Sequence, residues 1–279
     1  MRSAVRFVGI AGVLSLFSLT ATGPILADTL VVEPVTNSQR KPLAEIRHDE
    51  WNALLAKYVD EDGLVNYTQW KATDSDVTRL NQYLSQLASA ELTRTDTAAG
   101  RLAFFINAYN AVTIRGILDQ YPTTSIRNHT AKLFGFNIWK DLILPVGDSR
   151  LSLEDIEHEV LRKMQQPRIH FAIVCASLGC PSLRNEAYTP AKIDQQLENA
   201  AKDFFQKPSN FRIDQATNTL AMSSILDWFQ EDFGASQADR LERIATWLSP
   251  EQAKTLSQLS RPSIEYLDYD WNLNDSQSK

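Results

Sequence analysis

The sequence predicts a single α+β domain with a buried central helix and a small, mostly antiparallel sheet. Three observations carry that expectation. Between Leu102 and Leu118 the chain is apolar nearly all round, with Phe104, Phe105, Ile106, Ala108, Ala111, Val112, Ile114 and Ile117, the mark of a helix enclosed by protein. Two stretches, Lys140 to Leu151 and Phe211 to Met222, read as hairpins around Gly147-Asp148 and Gln215 to Asn218. The chain of 279 residues, less its leader, stays within the roughly 250–300 residues that one core serves. Two cysteines are too few for a disulfide scaffold, so core packing must hold the fold.

Residues 1–27 read as a signal peptide. Arg2 and Arg6 form a positive start, Phe7 to Leu19 an apolar run, and Ile25-Leu26-Ala27 a small-residue cleavage site. The mature chain then begins near Asp28 and is expected to be periplasmic or secreted and soluble. No cysteine follows the apolar run to take a lipid anchor. No later stretch reaches the roughly 20 consecutive apolar residues of a membrane span, so none is expected in the mature protein. Losing Arg2 and Arg6 takes the formal net charge from −6 to −8, which argues against nucleic acid or an anionic membrane surface as the main partner.

Residues 28–47, with Pro34 and Pro42, read as a lead-in arm, residues 48–274 as one globular domain and residues 275–279 as a C-terminal tail. Within the domain, Trp51, Leu54, Leu55 and Tyr58 share one helical face, and Asp62-Gly63 ends that helix in a turn. Val77, Leu80, Tyr83, Leu84 and Leu87 repeat the pattern. The central helix spans about Thr97 to Gln120 and stops before Pro122. After the first hairpin Ser152 stands three residues before Asp155, in the place of a cap for a helix reaching Lys163. Beyond the second hairpin the chain reads as helical up to Pro262, and Ile264 to Trp271 alternates as a closing strand.

Chemistry-bearing side chains concentrate in two places. Asn107 and Asn110 lie three apart in the apolar helix, on neighbouring positions of one face. A buried amide without partners costs a few kcal/mol, so they either tie down backbone groups of nearby loops or meet a substrate. The stretch His170 to Leu183, H-F-A-I-V-C-A-S-L-G-C-P-S-L, holds both cysteines, Cys175 and Cys180, with His170 and Ser177. A strand over 169–174 would put His170 and Cys175 on opposite faces. A helix begun at Pro167, a favoured first position, would set them about 140° apart. Neither conformation pairs them directly.

The same geometry limits a disulfide. A helix from 175 to 180 separates the Cα atoms by about 7.5 Å along its axis and a strand by about 16 Å, whereas a disulfide needs less than about 7 Å. A bridge therefore requires a curled loop, which Gly179 and Pro181 favour, and an oxidising compartment favours closing it. The alternative is a free thiolate at a helix N-terminus or beside a cation. His158, in Asp155-Ile156-Glu157-His158, stands on the helix after the first hairpin. The chain lacks H-E-x-x-H, paired C-x-x-C, a calcium-type loop, a phosphate-cradling G-x-x-x-x-G-K and a G-x-S-x-G elbow. Neither a metal nor a cofactor is expected.

Four separated stretches resemble one family. They are Asp62-Gly-Leu-Val-Asn-Tyr67, Ala103-Phe-Phe-Ile-Asn-Ala-Tyr-Asn-Ala111, Ile169-His-Phe-Ala-Ile-Val-Cys-Ala-Ser-Leu-Gly-Cys-Pro181 and Tyr269-Asp-Trp-Asn-Leu-Asn274, joined by Leu153-Glu-Asp-Ile-Glu-His158. In this order they are similar to the family named domain of unknown function 547, over roughly Trp51 to Asn274. The resemblance implies that Asn107, Tyr109, Asn110, His158, His170 and the cysteine loop belong to a shared pattern, with no reaction attached. Some members, plant ones among them, carry serine in place of Cys180, which implies Cys175 as the better nucleophile.

Two function classes follow. One is a non-enzymatic binding module for a small-molecule or peptide ligand, with Asn110, Tyr109, Ser177 and Cys180 at the binding surface and a structural cysteine loop. The other is a papain-like or transglutaminase-like hydrolase or acyltransferase acting on peptide or cell-envelope amides. It would use Cys175 as nucleophile, His170 or His158 as base and Asn107 to orient the imidazole. Thiol–disulfide exchange is a weaker third reading, because four residues separate the cysteines where C-x-x-C has two.

Overall fold

Thr97 starts the helix that organises the molecule. In the computed structural model, which describes residues 29–93, 95–131 and 135–278, its hydroxyl accepts the Gly100 N–H at 3.0 Å, and the helix runs Ala98–Gln120. From Leu102 to Leu118 every residue except Arg115 is buried. The leader expected over residues 1–27 lies outside the described residues.

Two amphipathic helices, Asp49–Tyr58 and Asp74–Ala88, close over this axis with the faces their spacing predicts. Trp51, Leu54, Leu55 and Tyr58 of the first and Leu80, Tyr83, Leu84 and Leu87 of the second are buried. Trp51 stacks on Tyr83 with ring centroids 5.8 Å apart, and Tyr58 on Trp70 at 4.6 Å. Each such ring contributes about 2–3 kcal/mol by leaving water. Gly116 lets the first hairpin come close, since a Cβ there would lie 2.6 Å from Leu142 Cδ2 and 2.9 Å from Ile138 Cδ1.

The fold is α+β, as expected, but in place of one mostly antiparallel sheet the described strands form three small sheets, with three of their five pairings parallel. Leu142–Val146 and Ser149–Leu151 form the predicted antiparallel hairpin, and Thr29–Leu30 adds a parallel edge to it. Lys41–Pro42 pairs in parallel with Ala90–Glu91. Phe211–Asp214 and Thr219–Ser223 form the second antiparallel hairpin, and Ser263–Leu267 joins it in parallel. The lead-in arm is thus stitched into the fold, and its Leu43 and Ile46 enter the main core. Asp275, in the segment expected to be a tail, is buried and accepts the Tyr121 hydroxyl at 2.7 Å.

The closing strand ends at Leu267 instead of continuing to Trp271. Beyond it the backbone is claimed by the cysteine loop: Leu178 N–H donates to the Asn272 carbonyl, Gly179 N–H to that of Asp270, and Asn274 N–H to that of Ala176, at 2.8–3.1 Å. This strap brings Tyr269 and Trp271 onto the loop. A second apolar core, built from Phe171, Phe204, Phe205, Phe211, Phe233 and Trp247, packs beside the first. The segment from Phe171 to Ala176 passes from one core to the other. Among the described residues no helix is long and apolar enough to cross a membrane.

Candidate functional site

Pro167 opens a single 3-10 turn, Pro167–Phe171, and the chain then leaves regular structure. Neither a strand nor a continued helix forms over residues 169–174. Ala176 turns the backbone with φ 59°, a left-handed conformation that costs a residue with a Cβ about 1–2 kcal/mol. This is the curl that Gly179 and Pro181 suggested, and Gly179 is needed for it: a Cβ there would meet the Asp270 backbone at 2.9 Å and the Tyr269 ring at 3.0 Å.

The curl does not close a disulfide, because Cys175 and Cys180 are both free thiols. What ties the loop instead is a hydroxyl–thiol cluster. The Tyr269 hydroxyl lies 3.0 Å from Cys180 Sγ and 3.1 Å from Cys175 Sγ. Ser177 Oγ lies 2.9 Å from Cys175 Sγ, and the Cys175 backbone N–H donates to Cys180 Sγ at 3.0 Å. An N–H can only donate, so Cys180 is the sulfur arranged to accept and to carry negative charge. Burial pushes its thiol up, but hydrogen bonds from the Cys175 thiol, the Tyr269 phenol and the Cys175 and Ser177 backbone outweigh it and bring Cys180 to about 7. The Cys175 thiol is pushed well up by its hydrogen bond to Cys180 and by burial. The Tyr269 phenol is driven up too, by burial and by the two sulfurs, and stays a donor.

The cluster forms the floor of a cavity of about 260 Å³. Its walls are largely aromatic and aliphatic, with Ile173, Ile225, Trp228, Phe229 and Trp271, and Trp228 is half exposed at 48%. Lys140 and Glu154 line it too, 3.5 Å apart as an ion pair.

Polar groups reach the cavity from two further elements. The helix that follows Ser152 widens to a π-helix over Asp155–Leu161, a local form often found at functional sites. It supplies Glu157 and His158 to the cavity lining. Burial, with the nearby Cys180 charge, raises the Glu157 carboxyl to about 7, and Tyr109 of the central helix donates to it at 3.4 Å. The second contribution is His170. Its Nε2 lies 2.7 Å from Asp232 Oδ2, and its ring stacks on Phe229 with centroids 4.1 Å apart. Burial lowers the His170 imidazole, with Asp232 partly opposing.

Asp232 is also gripped by Arg162, whose Nε donates at 2.7 Å, while Arg162 Nη1 donates to His158 Nδ1 at 3.1 Å. Burial alone would raise the Asp232 carboxyl, but His170 and Arg162 hold it well below the usual range.

The cavity thus gathers Cys175, Cys180, His158, His170 and Tyr109, while Ser177 sits beneath the sulfurs. Asn107 and Asn110 lie elsewhere. The Asn107 amide donates to the Tyr188 carbonyl at 2.7 Å and accepts its N–H at 3.0 Å. The Asn110 amide donates to the Ala172 carbonyl and accepts the Val174 N–H, both at 2.9 Å. Neither amide is among the cavity-lining residues. Neither histidine forms a hydrogen bond to either sulfur among the described residues. Sequence reasoning did not single out Glu157, Arg162, Trp228, Asp232 or Tyr269. Only Glu157 and Tyr269 left a local signal, inside the two motifs quoted with the family resemblance.

Residues 93–205 match the family model described as Protein of unknown function, DUF547. Over that stretch the chain is similar to the DUF547 family. No curated protein and no solved structure matches the chain. The DUF547 stretch contains the central helix, Glu157, His158, His170 and both cysteines, but Asp232 and Tyr269 lie beyond it. The partner that orients the imidazole and the phenol that serves the thiols are therefore supplied by the region C-terminal to the matched segment.

Proposed function

We propose that this cavity is the active site of a thiol-dependent hydrolase or acyltransferase acting on peptide-like or cell-envelope amides that carry an apolar or aromatic acyl group. The observation that carries the reading is that a histidine oriented by a carboxylate, His170 on Asp232, opens on the same cavity as two unbridged thiols. Thiolate, imidazole and orienting group are the parts such chemistry requires. Asp232 takes the orienting role first considered for Asn107, whose amide is spent on Tyr188. Resting sites are often looser than working ones, and in this reading substrate binding draws the imidazole and the thiolate to one carbonyl.

In this mechanism Cys180, and not Cys175 as the sequence led us to expect, is the nucleophile, because the Cys175 N–H and the Tyr269 hydroxyl are both aimed at its sulfur. Its thiolate attacks the substrate carbonyl, forming an S–C bond. The oxyanion is met by the Tyr269 hydroxyl and the Cys175 N–H, both already directed at that sulfur. The C–N bond then breaks, and the amine leaves with a proton from Glu157, which is half protonated near neutral pH. Neutral His170 takes a proton from water or an acceptor amine as it attacks the thioester and frees Cys180. A non-enzymatic binding module with a structural cysteine loop is the second reading, favoured by the hydroxyl–thiol contacts that tie the loop without a bridge.

The test is intact-mass analysis after mixing the full chain with aromatic acyl thioesters and acyl-peptide anilides. An acyl adduct on Cys180 is expected, absent in Cys180→Ala and slow to clear in His170→Ala. Wild-type protein that forms no adduct with any of them, while its thiols still alkylate, would overturn the assignment. We further propose export, on the strength of the leader read over residues 1–27. N-terminal sequencing of protein recovered from outside the cytoplasm should begin near Asp28, and retention of Met1 would refute it.

A further inference from the structure

We propose that Cys180 and Cys175 also act as a couple that reduces organic hydroperoxides, Cys180 as the thiol that is oxidised and Cys175 as the one that resolves it. Acyl transfer needs one thiol, and this cavity holds two. Both sulfurs lie within 3.1 Å of one atom, the Tyr269 oxygen, and the Cys175 backbone N–H already touches Cys180 Sγ. The left-handed turn at Ala176 brings them together. The apolar walls formed by Ile173, Ile225, Trp228 and Phe229 fit a hydroperoxide with a bulky organic group better than hydrogen peroxide.

The chemistry closes with the groups present and two named co-reactants. The Cys180 thiolate attacks the terminal oxygen of ROOH; the S–O bond forms as the O–O bond breaks. The alkoxide takes a proton from solvent water and leaves as ROH. Cys180 becomes a sulfenic acid, having given up the two electrons that the hydroperoxide gained. Cys175 then attacks the Cys180 sulfur, its thiol proton passes to the departing hydroxide, and water leaves as the disulfide forms. A dithiol reductant from outside returns both thiols by exchange. Ser177, 2.9 Å from Cys175 Sγ, is placed to steady that sulfur as it loses its proton. The inference goes beyond acyl transfer and shares with it the Cys180 thiolate and the cavity around it.

The experiment uses the reduced full chain with cumene hydroperoxide and no acyl substrate, reading peroxide consumption, thiol count after denaturation and intact mass. The wild type is expected to lose both thiols with no oxygen added, and to regain both with dithiothreitol. Cys175→Ser should lose its one thiol as an oxygen adduct that dimedone traps, and Cys180→Ser should lose peroxide consumption altogether. Circular dichroism confirms that each variant is folded. Replacement of cumene hydroperoxide by hydrogen peroxide should slow the reaction.

Wild-type thiols that survive the peroxide overturn the proposal. So does a Cys180→Ser variant that consumes peroxide at the wild-type rate, and hydrogen peroxide reacting as fast as cumene hydroperoxide overturns the substrate class. Because no acyl compound is present, failure of acyl transfer and failure of peroxide reduction are read separately.

Discussion

The phenol of Tyr269 donates to the sulfur of Cys180 across 3.0 Å, joining positions 89 residues apart. A hydrogen bond to a charged group contributes about 1.5–3 kcal/mol, and one pKa unit corresponds to about 1.4 kcal/mol. Tyr269→Phe should therefore raise the Cys180 thiol by about one to two units from its value of about 7. The thiolate is the reactive form, so alkylation speeds up as pH climbs through that value. Near neutral pH the variant should react with iodoacetamide about tenfold more slowly than wild type, with its inflection moved to higher pH. An unchanged profile would remove Tyr269 from the thiolate's support.

Glu157 makes a prediction of opposite sign. Burial raises its carboxyl from 4.5 to about 7, so the folded state holds a proton that the unfolded state has released. Stability is intact below the unfolded value and declines as pH rises from there through the folded one, by up to roughly 3 kcal/mol. Glu157→Gln cannot ionise and escapes this loss. Thermal melts should show the variant gaining on wild type between about pH 4 and pH 8. A gap that stays constant across that range would mean that Glu157 ionises as freely as in solvent.

Local periodicity made much of the fold legible. The all-round apolar run fixed the central helix, and Gly147-Asp148 and Gln215 to Asn218 fixed both hairpins, because those signals lie within one turn or one strand. The parallel additions, Thr29–Leu30 onto Leu142–Ile143 and Ser263–Leu267 onto Thr219–Ser223, join residues too far apart in the chain for any local pattern to record. The site divides the same way. Cys175, Cys180, His158, His170 and Tyr109 stood out by residue type and segment. Asp232 meets His170 from 62 positions away, at the end of a short acidic turn that looks like solvated surface. The strand read through Trp271 failed for a related reason: alternation continues past Leu267, but the backbone groups that follow bond to the cysteine loop.

Asn110 and Asn107 offer a matched pair. Each is buried and makes two hydrogen bonds to one loop, Asn110 to residues 172 and 174 and Asn107 to residue 188. Replacing either with alanine strands a buried carbonyl and a buried N–H, at about 2–4 kcal/mol in total. Chemical denaturation should report a similar loss for both. Cys175 directly follows the segment that Asn110 holds, so Asn110→Ala should also change the rate of Cys180 alkylation, while Asn107→Ala should leave it near wild type. Equal effects on alkylation would mean that the loop is held from elsewhere.

Asp232→Asn separates positioning from reactivity. The carboxylate accepts from His170 at 2.7 Å and from Arg162 at 2.7 Å, and its lowered pKa means that this contribution is present above the unfolded carboxylate value and fades as pH falls below it. Its side chain is 21% exposed, so solvent screening limits the loss to about 1–2 kcal/mol at neutral pH. Chemistry should suffer more. Asparagine can present its N–H to His170 Nε2 and favour the wrong tautomer, so acyl-enzyme turnover should fall by about 10²–10⁴-fold. Cys180 alkylation depends on Tyr269 and the Cys175 N–H and should stay within a few-fold of wild type. Parallel loss of turnover and alkylation would make Asp232 a support of the whole cavity, whereas loss of turnover alone identifies it as the residue that positions His170.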